Sequence, residues 1–152
     1  LAEIGPGESQ VVRVVVEHVE EINEEHAYRL ILDEIPVERA EGGAGVQAAL
    51  RALVPVFITP SLQSRPRLTW TAVRSAEGLR LTIRNDGDTR ERLINSRVMA
   101  GGTELSGGPR GYILSGGVRN WTLSAPPAGA TSLRITSEGE FGAVEVDVPI
   151  TS

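Results

Sequence analysis

The stretch ALRALVPVFITP, Ala49 to Pro60, is the most hydrophobic run in the chain, yet it carries a charge and a proline. A short apolar run rich in β-branched residues and stopped by Pro60 predicts a β-strand. Alternation, extended three residues upstream, places Val46, Ala48 and Leu50 on one side and Gln47, Ala49 and Arg51 on the other. Pro55 argues against a central strand, because proline has no N–H to give to a ladder. The run therefore reads as a strand whose edge is not fully paired within the chain. The partner expected at that edge is another protein.

The fold class is all-β. Helical periodicity is weak, and short alternating runs are separated by Gly, Pro, Asn and Asp clusters, the pattern of a β-sandwich. QVVRVVVEHV (10–19) predicts a strand with Val12, Val14 and Val16 on one face and Arg13 on the other. EEINEEH (20–26) reads as a charged turn. HAYRLILDEIP (26–36) predicts the next strand, with Tyr28, Leu30 and Leu32 inward and Arg29, Ile31 and Asp33 opposite. VERAEGGAG (37–45) has two glycine clusters and no period, so it reads as a mobile loop.

SLQSRPR (61–67) is polar, contains proline and lacks an apolar period, which places a linker over residues 61–66. Beyond it, seven strands are expected over 67–75, 78–86, 90–100, 110–117, 118–125, 131–139 and 142–150. That number and spacing predict a complete immunoglobulin-like sandwich over residues 67–152. Residues 1–60 hold only about three strands, too few for a two-sheet sandwich by themselves. Strands are expected to be missing from the front of this first unit. A lobe so built invites a swapped or sheet-extended dimer.

Composition removes several function classes. The net charge of −5 and pI near 5.1 argue against nucleic acid as the main partner. All 15 basic residues are arginine, so a P-loop lysine, a Schiff-base lysine and a lysine general base are excluded. With no cysteine, disulfide frameworks, zinc knuckles and thiol catalysis are excluded as well. The chain has no apolar run of membrane-spanning length. It starts at Leu1, which reads as a processed or truncated N-terminus.

Candidate chemistry is thin. The run Glu17, Glu20, Glu21, Glu24, Glu25 with His18 and His26 has metal-ligand residue types, but a solvated turn is the simpler reading. A serine hydrolase needs a histidine near its nucleophile and a G-x-S-x-G elbow; both histidines lie in or beside the acidic turn, and the elbow is absent. GGAGVQ and SGGPRGY do not lie between a strand and a helix, so they read as loops rather than phosphate cradles. Trp70, Trp121 and Tyr112 suit core or inter-domain packing better than a ligand platform. Neither catalysis nor a cofactor or metal is expected.

In order, PGESQVVRV (6–14), YRLILDEIP (28–36) and LVPVFITP (53–60) resemble the end of the first domain of periplasmic pilus-assembly chaperones, the chaperone–usher (PapD-like) family. GLRLTIRNDGDTRERL (78–93) and GYILSGGVRNWTL (111–123) resemble segments of its second domain in the archaic, spore-coat-U-associated branch. The resemblance implies two immunoglobulin-like domains, the first lacking its front part here. It also implies a periplasmic chaperone that binds fimbrial or spore-coat-U-like subunits and delivers them to an outer-membrane usher.

Such chaperones lend their last first-domain strand to a subunit that lacks one, a form of β-strand addition. The implied donor side chains here are Val46, Ala48, Leu50 and Ala52. The family also holds the subunit's C-terminal carboxylate with basic residues in the inter-domain cleft. In the better-known branch one of these is a lysine, at the position that Pro55 occupies here. In the archaic-like branch an arginine on the preceding strand takes over, which matches Arg29, with Arg13 as a weaker second candidate. Two other readings stay open on the residues alone: a structural or adhesive sandwich, and a carbohydrate-binding module using Trp70 or Trp121.

Overall fold

The computed structural model describes residues 3–17, 21–35, 48–60 and 63–152. Every regular element among them is a strand. The loop expected over 37–45, Pro36, His18 and the donor candidate Val46 lie outside the described residues.

β1 (His26–Asp33) and β2 (Arg51–Ile58) form a two-stranded antiparallel ladder running from His26 opposite Ile58 to Asp33 opposite Arg51. Its register is held at one end by Arg51, whose Nε and Nη2 donate to the Asp33 carboxylate at 2.5 and 2.9 Å. That hydrogen bond also raises the Arg51 pKa above its ordinary value. Beyond the pair, Glu34 N–H donates to the Leu50 carbonyl at 2.8 Å. Hydrogen-bonded and open pairs alternate in an antiparallel ladder. Even-numbered residues of β2 therefore bond to β1, and odd-numbered residues direct their backbone groups to the opposite edge. Pro55, opposite Arg29, is one of the odd set. Its missing N–H removes nothing from the β1–β2 ladder.

Two sequence expectations for this region are corrected. Residues 10–17 form no strand and are exposed throughout, with Val11 and Val15 each about three-quarters exposed. Alternating valines make a strand only when a neighbouring edge takes their hydrogen bonds, and none of the described strands pairs with them. Tyr28 and Leu32, expected to face a core, are exposed at 55% and 40%. The side of the ladder carrying Tyr28, Leu30, Val54, Val56 and Ile58 has no facing sheet among the described residues. Val14, Val15 and Val16 border it, leaving a mostly apolar groove of about 320 Å³.

The remaining strands are β3 (Leu68–Ser75), β4 (Gly78–Asn85), β5 (Glu91–Ala100), β6 (Thr103–Leu105), β7 (Gly111–Ile113), β8 (Val118–Leu123), β9 (Ser132–Gly139) and β10 (Gly142–Thr151). They pair in the order β6-β5-β9-β10-β3-β4-β8, with β7 also on β5. The β10–β3 link is a two-residue parallel pairing of Ile150 and Thr151 with Ala72 and Val73. The sheet curls there into two layers, a β-sandwich. The seven expected strands are all present, and β6 adds an eighth by folding back on β5 after the Gly101–Gly102 turn.

Alternation builds the core. Leu79, Leu81, Ile83 and Asn85 of β4 point inward, as do Leu133 and Ile135 of β9, and they meet Leu93, Val98, Ile113, Leu123 and Val148. In β5 the inward set changes from odd (Glu91, Leu93) to even (Val98, Ala100). A bulge between Ile94 and Arg97 inserts the extra residue, with Asn95 at a φ of 53°. One added residue reverses which side chains face inward, and Asn tolerates the left-handed backbone better than most residues.

Candidate functional site

The ladder and the sandwich meet at a polar junction built around Glu25, the residue before β1. Its N–H donates to the Asp88 carbonyl at 2.8 Å. Its carboxylate accepts from the hydroxyls of Thr59 (3.0 Å) and Thr89 (2.7 Å) and from the backbone N–H of Arg90 (3.2 Å). The Arg90 guanidinium closes the site, donating to Glu25 with one nitrogen and to Glu140 with another. The Glu25 side chain is 1% exposed and that of Arg90 14%. This corrects the reading of the whole acidic run as a solvated turn. Glu24 is exposed as expected, whereas Glu25 is buried because hydroxyls, an N–H and a guanidinium replace its water.

An aromatic stack runs along the same junction. The Arg90 guanidinium lies 3.8 Å from the centre of the Phe57 ring, Phe57 packs on Tyr112 at 5.2 Å, and Arg92 lies 5.5 Å from the Tyr112 ring. Tyr112 thus takes the packing role proposed for it from sequence. Trp70 and Trp121 are half-buried and pack against the sandwich core.

Residues 65–67, just before β3, are pinned to the β4–β5 turn. Asn85, fully buried, accepts from the N–H groups of Arg67 and Gly87, each at 3.0 Å, and donates to the carbonyls of Thr89 and Ile113. Every hydrogen-bonding position of that amide group has a partner. Gly87 is required beside it: a Cβ there would fall 2.4 Å from the Arg65 carbonyl oxygen and 2.5 Å from the Arg67 nitrogen. The Asp88 carboxylate also accepts from the Arg65 N–H at 3.1 Å.

The residues singled out from sequence are distributed as follows. Arg29 lies mid-β1, exposed, with no ion-pair or side-chain hydrogen-bond partner among the described residues. Alternation puts it on the face that carries Leu53, Pro55 and Phe57, and Phe57 is the residue that reaches the sandwich. Arg13 is exposed in the segment that forms no strand, one residue before the valines bordering the apolar groove that Arg29 also borders. Ala48 and Leu50 are exposed and precede β2, whereas Ala52 is half-buried within it. Val46 is outside the described residues.

The junction was missed. Nothing in sequence separates Glu25 from Glu24, and Arg90 reads only as the first residue of the strand expected over 90–100. Asn85, Asp86 and Gly87 read as the end of one strand and the turn after it, as well as part of the resemblance.

Residues 1–63 match the family model described as pili and flagellar-assembly chaperone, PapD N-terminal domain. This match, over the part of the chain that contains β1, β2 and Glu25, supports a pilus- or flagellar-assembly chaperone family. A search of curated proteins finds no matching sequence.

Proposed function

We propose that this chain is a periplasmic chaperone for pilus subunits of the fimbrial or spore-coat-U-like kind, in the archaic branch of the chaperone–usher family. It is organised as a first immunoglobulin-like unit ending at residue 60, a linker over 61–66 and a second unit over 67–152. The observation that carries the reading is the edge of β2. Its odd-numbered backbone groups have no partner among the described residues, and its sequence is apolar on either side of Pro55. An incoming subunit strand takes up that edge, with Val46, Ala48, Leu50 and Ala52 entering the groove that the subunit's absent strand leaves.

Arg29, with Arg13 nearby, holds the subunit's C-terminal carboxylate and sets the register of pairing. A guanidinium suits this because its fork gives a carboxylate two parallel hydrogen bonds. Strand pairing and groove burial supply the energy, so no cofactor or covalent step is used, and the complex is handed to an outer-membrane usher. Co-expression of the intact protein with a fimbrial subunit tests this. A one-to-one complex is expected, and failure of every such subunit to co-purify would remove the reading.

A further inference from the structure

One edge of β10 lacks a partner along most of its length. Ile150 and Thr151 pair with β3, but residues 142–149 meet no strand on that side among the described residues. Ile150 N–H donates to the Thr131 carbonyl at 2.8 Å, one step past the β9–β10 ladder. Bonded and open pairs alternate, so even-numbered residues of β10 bond to β9. Ala143, Glu145, Asp147 and Pro149 therefore direct their backbone groups to the open edge. Their side chains share one exposed face, whereas Val144, Val146 and Val148 turn toward the core. Of the four outward residues, two are acids and one has no N–H to give. Both acids pair with Arg134 of β9, on the side away from the open edge.

We propose that Glu145, Asp147 and Pro149 bar this edge to strand pairing with a second copy of the chain. An open row of N–H and C=O groups is a template for another strand unless charge or proline blunts it. Antiparallel pairing of two β10 edges sets odd residues opposite odd residues. In the registers that use the middle of the edge, Glu145 faces either Glu145 or Asp147 of the second copy. Like charges directly opposite one another destabilise a strand pair. Each Arg134 stays behind its own two acids, so a negative charge remains on each edge. A register displaced toward Thr151 reaches Pro149 and loses a hydrogen bond, and one displaced toward Gly142 sets Asp147 opposite Phe141, past the end of the strand. The edge of β2 differs. Its outward residues Ala49, Arg51, Leu53 and Pro55 include a proline but no pair of like charges. Proline alone leaves three N–H groups there to bond a strand. The barrier at β10 is independent of what β2 receives.

The test follows backbone amide exchange in the full chain over a concentration series. In the parent chain the amides of Ala143, Glu145 and Asp147 should exchange at rates independent of concentration. Asp147→Arg sets Glu145 opposite an arginine at two places in a two-fold pairing. The amides at 143, 145 and 147 should then slow as concentration rises, by at least about tenfold where those of the parent do not change. Those of Val144, Val146 and Val148, already bonded to β9, should not follow. Glu145→Gln with Asp147→Asn removes the like charges at nearly constant size and should slow the same amides to a smaller extent. Reversing all three charges, Arg134→Glu, Glu145→Arg and Asp147→Arg, keeps the pairing within the chain and restores repulsion between copies, so the slowing should disappear. Concentration-dependent slowing at 143, 145 and 147 in the parent chain would overturn the proposal. So would its absence from both Asp147→Arg and the neutral pair, or its persistence in the triple reversal.

Discussion

Arg29, on the strand that precedes the open edge, has no counterion among the described residues. If it anchors a subunit carboxylate, truncating it leaves that carboxylate buried and unpaired, at a cost of about 2–5 kcal/mol. Arg29→Ala in the intact protein should therefore reduce recovery of the subunit complex at least about tens-fold while the thermal midpoint stays nearly constant. Normal recovery would reject the anchor assignment and leave the chaperone reading in place. Asn85 makes the opposite prediction. Replacing it with Ala strands the buried Gly87 N–H, the part-buried Arg67 N–H and two carbonyls, each buried group costing roughly 1–3 kcal/mol, so Asn85→Ala should lower the thermal midpoint by several degrees or more. A midpoint within a degree of the parent protein's would contradict the role given to it. These two residues also differ in how legible they are. Alternation alone put Arg29 opposite Tyr28 and Leu30, whereas two of the partners of Asn85, Arg67 and Ile113, lie 18 and 28 residues away, where no local pattern reaches.

At the scale of elements, the same contrast explains what sequence showed. Strand positions in the sandwich follow from alternation, since each inward row meets another apolar row. β5 departs from simple alternation because the bulge at Asn95 reverses its inward set, a shift that only pairing with β9 reveals. In the part of the chain before β3, period-two patterns over 10–19 and 26–36 predicted core faces, but a face is buried only where a second sheet covers it. Tyr28, Leu32 and Val54 remain open, and contiguous apolar surface of this kind favours association. The chain alone is expected to self-associate as its concentration rises, and Val54→Asp should return it to a monomer. Light scattering that finds only monomer for the parent chain would contradict this.

For the molecule as a whole, the junction at Glu25 sets how the ladder and the sandwich act together. Removing one member of a buried ion pair costs on the order of 3–5 kcal/mol. Glu25→Ala should therefore uncouple the ladder from the sandwich. Hydrogen exchange of β1 and β2 should accelerate, while β4 and β9 keep their protection. Uniform acceleration across both would place the pair in the general stability of one body instead. The sandwich has eight strands and its own core, so residues 67–152 expressed alone should melt in one cooperative transition. A gradual melt would show that the segment depends on residues 1–60.

On the proposed function, β2 accepts a strand at the edge where Pro55 lies. Amide exchange measured residue by residue, on the intact protein with and without a bound pilus subunit, tests it directly. The ladder register makes the outward N–H groups those of Ala49, Arg51 and Leu53, whereas those of Ala52, Val54 and Val56 are already bonded to β1. Binding should slow exchange at Ala49, Arg51 and Leu53 and leave the even-numbered positions nearly unchanged. Slowing at both sets alike, or at neither while the subunit is bound, would contradict strand addition at this edge.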